Sequence, residues 1–130
     1  MAAVNILNLT SIYGKTTYYT PSGTAAVVLL PNAAASSTVM KINEITATNT
    51  TGTAANTTVS IYTNGAVAQG SAPSGGTAYP IAGTISVPAN AALIVSDKTT
   101  AFYLEEGVSI SITSGTASAI TYTVSYELMA

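Results

Sequence analysis

Alternation constrains this chain more than any other feature. In Gly107-Val108-Ser109-Ile110-Ser111-Ile112-Thr113, and again in Ile120-Thr121-Tyr122-Thr123-Val124-Ser125-Tyr126-Glu127-Leu128, apolar and polar residues change places at nearly every step. A pleated backbone sends successive side chains to opposite faces, so each segment forms a strand with one buried and one wet face. Residues 57–63 read the same way, with Val59 and Ile61 inward. They run into Asn64-Gly65, the dipeptide that best tolerates positive φ at both centres of a tight turn, which predicts a hairpin there. Further strands are expected near 4–10, 14–19, 25–30, 39–48, 81–87, 93–96 and 102–104, separated by Gly, Pro, Asn, Asp or Ser in turn positions.

No segment offers ten residues of helical spacing, and β-branched residues are abundant, which favours pleated backbone. Many short strands with frequent turns predict an all-β fold: one antiparallel β-sandwich domain over residues 1–130, jelly-roll or immunoglobulin-like. The length suits a single core. Gly70-Ser71-Ala72-Pro73-Ser74-Gly75-Gly76 reads as a small flexible loop, with Pro31-Asn32-Ala33-Ala34-Ala35-Ser36-Ser37 as a second.

Composition bears on function. Three Lys, no Arg, five acidic residues, no His and no Cys leave charged residues at 6% of the chain. Soluble monomers carry about a quarter. Thr, Ser, Asn and Gly must hydrate the surface instead, and such a surface can be dehydrated against a partner without stripping water from many ions. That suits a subunit built to sit against others and argues against an enzyme. Without Cys there is no disulfide framework, and with one Asp and no His no metal site is expected. No cofactor is expected either. A net charge of -2 with three scattered Lys does not match a phosphate backbone, so nucleic acid is not expected as a partner. The longest apolar run, residues 25–30, is too short for a signal peptide core or a spanning helix, so no membrane association is expected.

The side chains that could carry chemistry have plainer readings. Glu105-Glu106 is the only paired carboxylate, and within a strand its members would face opposite ways, which defeats joint acid/base work. It reads as a solvated turn before Val108. Asp97-Lys98 reads as a hairpin turn with a charged tip. Among the tyrosines, Tyr122 and Tyr126 share the alternation of Val124 and belong to the core or its rim. Tyr18 and Tyr19, on consecutive strand positions, face both sides, so one is exposed unless a partner covers it. With Tyr13, Ile6 and Leu7 they make residues 1–20 a candidate segment for docking on a neighbouring chain.

Several ordered elements carry a family resemblance: Ile12-Tyr13-Gly14-Lys15-Thr16, Lys41-Ile42-Asn43-Glu44-Ile45 with Ala47-Thr48-Asn49, Ile85-Ser86-Val87-Pro88-Ala89-Asn90, Tyr103-Leu104-Glu105-Glu106-Gly107 and Val124-Ser125-Tyr126-Glu127. Over nearly its whole length the chain resembles small virion structural proteins of tailed bacteriophages, including those infecting cyanobacteria. The resemblance implies a β-sandwich component of a virus particle, assembled in the host cytoplasm. It would be a capsid decoration (cement) protein on the outer lattice, bound to the major capsid protein, or a neck, tail, baseplate or fibre accessory bound to other virion subunits. A compact domain without coiled-coil or collagen-like extension favours decoration over a long fibre. Such a subunit would form a homo-oligomer, a trimer before a dimer, with the amino-terminal strand adding to the next subunit's sheet.

Two rival readings belong to other classes. A carbohydrate-binding module would need Tyr13, Tyr19 or Tyr62 as its aromatic platform, Trp being absent. Ice binding would draw on Thr46-Ala47-Thr48 and Thr121-Tyr122-Thr123, but these have no repeating spacing along the chain.

Overall fold

The structure, a computed structural model, describes residues 3–130. A 3-10 turn, Ile6–Asn8, precedes nine strands: β1 (Ile12–Tyr19), β2 (Val27–Asn32), β3 (Val39–Asn49), β4 (Ala55–Tyr62), β5 (Ala78–Val87), β6 (Ala92–Ser96), β7 (Phe102–Leu104), β8 (Val108–Ser114) and β9 (Ile120–Met129). They form two antiparallel sheets, ordered β1-β9-β3-β6, with β7 also on β3, and β2-β8-β4-β5.

β6 and β7 both pair with β3 in the antiparallel sense, at Ile45 to Thr48 and at Met40 to Ile42 respectively. They are two halves of one edge strand, interrupted by a second 3-10 turn at Lys98–Thr100. Counted so, the pairings nest: β4 with β5 innermost, then β3 with β6 and β7, β2 with β8, and β1 with β9 outermost. One long hairpin, rolled so that successive pairs alternate between sheets, is a jelly roll. The expected β-sandwich is present, and of the two topologies expected for it the nesting selects this one.

Inward residues of the two sheets build the core. Ile42, Ile45 and Ala47 of β3 stand opposite Tyr126, Val124 and Tyr122 of β9, and across the interior lie Val59 of β4 and Ile110 and Ile112 of β8. Polar groups inside this layer are paired. The Thr57 hydroxyl bonds the Tyr122 hydroxyl, which donates to the Thr113 carbonyl at 2.9 Å. Two buried asparagines pin opposite ends of the sandwich: Asn32 of β2 donates to Leu104 O of β7 at 3.1 Å, and Asn49 of β3 donates to Val87 O of β5 at 3.1 Å.

Several expectations fail, each for a local reason. Residues 4–10 are not a strand: the Asn5 side chain accepts the Leu7 N–H at 3.0 Å and caps the 3-10 turn, and pairing begins at Ile12. Asn64-Gly65 is not a tight hairpin turn, since neither residue has positive φ and β5 resumes only at Ala78. Pro31 and Asn32 lie in β2, where the buried Asn32 is tied down, instead of in a flexible loop. Asp97-Lys98 begins a capped 3-10 turn within one edge: the Asp97 carboxylate accepts from the Thr99 hydroxyl and, at 2.9 Å, from Thr99 N, which together hold its pKa below the usual value.

Candidate functional site

Every sandwich has two outer faces, and here they differ. The outer face of the β2-β8-β4-β5 sheet is covered over β2, the first half of β8 and the end of β4 by the chain's own connection 63–77, while Asn56, Thr84 and Ser86 at its β5 side stay exposed. Outward Ser109 donates to Asn64 O at 2.9 Å, and the outward Tyr62 hydroxyl accepts the Gly76 N–H at 3.0 Å. Gly65 lies so close that an added Cβ would stand 2.0 Å from Asn32 O. That close approach, and not a turn conformation, is why glycine occupies this position. The cover buries Val28, Ser60 and Ser111, although register places them on the outer side. The same connection closes the free edge of β2: Gly70 N donates to Val28 O, Val28 N donates to Ser71 O, and Gln69 reaches Leu29 O of β2 and Thr17 of β1. The stretch read as a flexible loop is thus bonded to the sheet at Gly70, Ser71 and Gly76.

The outer face of the β1-β9-β3-β6 sheet is open, and its residues follow from the register. One row across the strands is Tyr18, Thr123, Thr46 and Ile94; the next is Thr121, Thr48 and Ala92. Thr20 extends the second row through a 2.8 Å bond between its hydroxyl and that of Thr121. In the other direction Thr16 bonds Ser125 at 3.2 Å, with Glu44 beside it, followed by Gly14, Glu127, Lys41 and Tyr103; in the last row Ile12 is exposed but Met129 and Val39 are buried, so the open face ends there. Hydroxyls occupy the middle of the face, flanked by the exposed apolar side chains of Tyr18 (71%) and Ile94 (61%). Thr46-Ala47-Thr48 and Thr121-Tyr122-Thr123, unrelated in sequence spacing, are direct partners, so the four threonines form one square patch.

The anticipated docking residues do not gather in one place. Tyr18 lies on this face. Ile6 and Leu7 project from the 3-10 turn near its far end, where Val4, Ile6, Val39, Tyr103 and Glu105 line a shallow recess. Tyr13 and Tyr19 take the opposite face of β1; Tyr19 packs against the core with its ring beside Gly70, while Tyr13 stays 57% exposed. Of the three tyrosines that a glycan platform would need, Tyr62 is buried and Tyr19 is half-buried, which leaves Tyr13.

Ionisable groups are sparse and spread out. Glu105 is exposed and lines the recess; Glu106, beside it, is buried against a different group that includes Asn8, Ser37 and Ala130. Among the described residues no three of His, Cys, Asp and Glu come together. Burial raises the phenols of Tyr122 and Tyr126 above the usual tyrosine value, with the Thr57 hydrogen bond opposing the rise at Tyr122. Chemically the open face offers hydroxyl donors and acceptors, two apolar flanks and a few charges towards one end, which equips it to lie against another surface. Ile94 and the threonine square escaped the sequence reading of the site. The signal available was the pair of Thr-x-Thr motifs, which only strand register could bring together.

The chain matches no protein-family model, no curated protein and no solved structure at a significant level.

Proposed function

We propose that this chain is a structural subunit of a tailed-bacteriophage particle, a capsid decoration protein that docks through the open outer face of its β1-β9-β3-β6 sheet. The carrying observation is the asymmetry of the two outer faces: one is covered by the connection 63–77 over β2, the first half of β8 and the end of β4, while the other presents Thr46, Thr48, Thr121 and Thr123 between Tyr18 and Ile94. Neutral hydroxyls cost less to dehydrate than ions and can bond a partner's polar groups, and the apolar flanks gain from burial. Jelly rolls are frequent in capsid proteins, which supports the reading as fold-level analogy.

Size supports a lattice partner. Four strands about 4.8 Å apart and four open rows along them give a face of about 15 by 20 Å, roughly 300 Å². Stable pairwise interfaces bury about 800 Å² on each partner. One such contact is weak, and repetition over many equivalent sites of a shell supplies what a single contact lacks.

The test is quantitative mass spectrometry of purified particles, with this chain counted against the major capsid protein. A ratio of one to one, or one to a small integer, supports decoration. A handful of copies per particle assigns the same docking face to the neck, tail, baseplate or fibre, and absence from particles removes the virion reading. Thr123→Lys, which puts a charge at the centre of the face, is expected to abolish incorporation while leaving the circular dichroism spectrum unchanged.

A further inference from the structure

We infer that β1 is an interface strand through which two copies of this chain pair edge to edge, antiparallel, about a two-fold axis at Thr16. The inference stands independently of the particle reading.

The four sheet edges are not alike. The β2 edge is bonded by Gly70 and Ser71. β5 carries Pro80, two register shifts and a positive φ at Thr84, all of which spoil strand addition. The β6 and β7 edge is broken by the 3-10 turn. β1 alone is regular, with eight residues paired to β9 without a bulge and with Lys15 as the single charge. Among the described residues no backbone group bonds its outer side.

The orientation of its free groups can be read from its start. Ser11 N donates to Ala130 O and Ala130 N donates to Ser11 O, so Ser11 is in a hydrogen-bonded pair with the end of the chain. In an antiparallel ladder such pairs alternate with open ones. Tyr13, Lys15, Thr17 and Tyr19 therefore bond β9, whereas Ile12, Gly14, Thr16 and Tyr18 turn their N–H and C=O groups outward.

Register then selects the partner. A continuous sheet requires opposed residues to share a face, which limits the axis to particular positions. An axis at Lys15 would set two ammonium groups directly opposite in an open, close-approach pair. An axis at Gly14 would oppose glycine to glycine and leave a hole. With the axis at Thr16, Thr16 meets Thr16 of the second copy, Gly14 meets Tyr18, whose ring covers the glycine, and Tyr13 meets Tyr19. Lys15 then faces Thr17. Six backbone hydrogen bonds form, and the exposed Tyr13 acquires an aromatic neighbour.

Analytical ultracentrifugation of the full chain is expected to show a dimer. Thr16→Pro removes an outward N–H, which a β1 edge tolerates, and the exposed hydroxyl bond to Ser125. It is expected to cost the fold little and to weaken dimerisation about 5- to 150-fold, two intersubunit hydrogen bonds being lost per dimer, with Thr16→Val as the control that loses the hydroxyl alone and keeps the dimer. Because the chain has no Cys, register is tested by T16C and K15C under mild oxidation. Thr16→Cys brings two Cα atoms to about 5.5 Å, within disulfide reach, and is expected to crosslink rapidly. A monomeric wild type at high concentration, crosslinking of K15C in preference to T16C, or a dimer that Thr16→Pro leaves intact overturns the proposal.

Discussion

The hydroxyl of Thr57, on β4, and that of Tyr122, on β9, meet inside the sandwich and join its two sheets by a hydrogen bond between side chains 65 positions apart. Tyr122 also donates to the Thr113 carbonyl, so Thr57 is the donor to Tyr122. Tyr122→Phe strands the Thr57 hydroxyl in a buried site and is expected to destabilise the fold by about 1–3 kcal/mol in urea titrations. Adding Thr57→Val removes the stranded group, so the double variant is expected to be more stable than the sum of the single losses. Strictly additive losses would show that the two hydroxyls act independently.

The same burial sets a pH dependence. The folded-state values of Tyr122 and Tyr126 are raised, so the folded chain keeps protons that the unfolded chain releases near the usual value of about 10. Their contribution is fully present below about pH 10 and is lost as pH rises through the folded-state values. Urea midpoints are expected to be flat with respect to these groups up to about pH 10 and to fall above it, less steeply in Tyr126→Phe. An unchanged slope in that variant would remove Tyr126 from the account.

Asn32 and Asn49 hold opposite ends of the sandwich by the same device: a buried amide donates across to the other sheet while its oxygen collects the hydroxyls of the loop that follows. Asn32 accepts from Ser36 at 2.6 Å and from Thr38 at 3.1 Å, and Asn49 accepts from Thr51 at 2.7 Å. Asn32→Ala or Asn49→Ala leaves buried carbonyls without donors, and each is expected to cost about 2–4 kcal/mol. Hydrogen exchange is expected to accelerate in residues 33–38 for the first and in 50–54 for the second. Faster exchange spread over the whole chain at equal rates would contradict a local clamp.

Two glycines give a matched comparison. Gly65→Ala drives a Cβ into the Asn32 carbonyl and is expected to lift the connection 63–77, with a loss of about 1–3 kcal/mol or more and faster proteolysis there. Gly52→Ala meets nothing within 4 Å, and its backbone does not require glycine, so it is expected to be neutral or to stabilise by up to about 1 kcal/mol. Equal thermal midpoints for the two variants would refute the close-approach argument.

Inward faces were legible because alternation is a local signal: Val59 and Ile61, Ile110 and Ile112, and Tyr122 and Val124 announced them directly. The other face of β8, expected to be wet, is buried at Ser109 and Ser111 under the connection 63–77, which no local pattern foretold. Misreadings arose where one local pattern serves two structures. Val4, Ile6 and Leu9 sit among polar neighbours much as strand residues do, but the Asn5 side chain competes for the backbone. Asn64-Gly65 has turn chemistry, and its glycine is needed for packing against a strand more than thirty residues earlier in the chain. The open face was invisible for a related reason. Thr46 and Thr123 become neighbours only through the β3 and β9 register, and no local pattern encodes the nested order that sets it.

That nested order also imposes a timetable. β9 lies between β1 and β3, yet it is the last strand of the domain to leave the ribosome. Until it arrives β1 has no partner, and Thr10 must find Ala130 across 120 positions. β4 and β5, adjacent in sequence, are free to associate early; β1 waits through the synthesis of everything between, several seconds at about 5–20 residues per second. Closing so wide a loop places folding in the slow, millisecond-to-second regime of β-sandwiches. For that interval the nascent chain carries a sparsely charged strand with both edges vacant, the state in which meeting another copy is most hazardous.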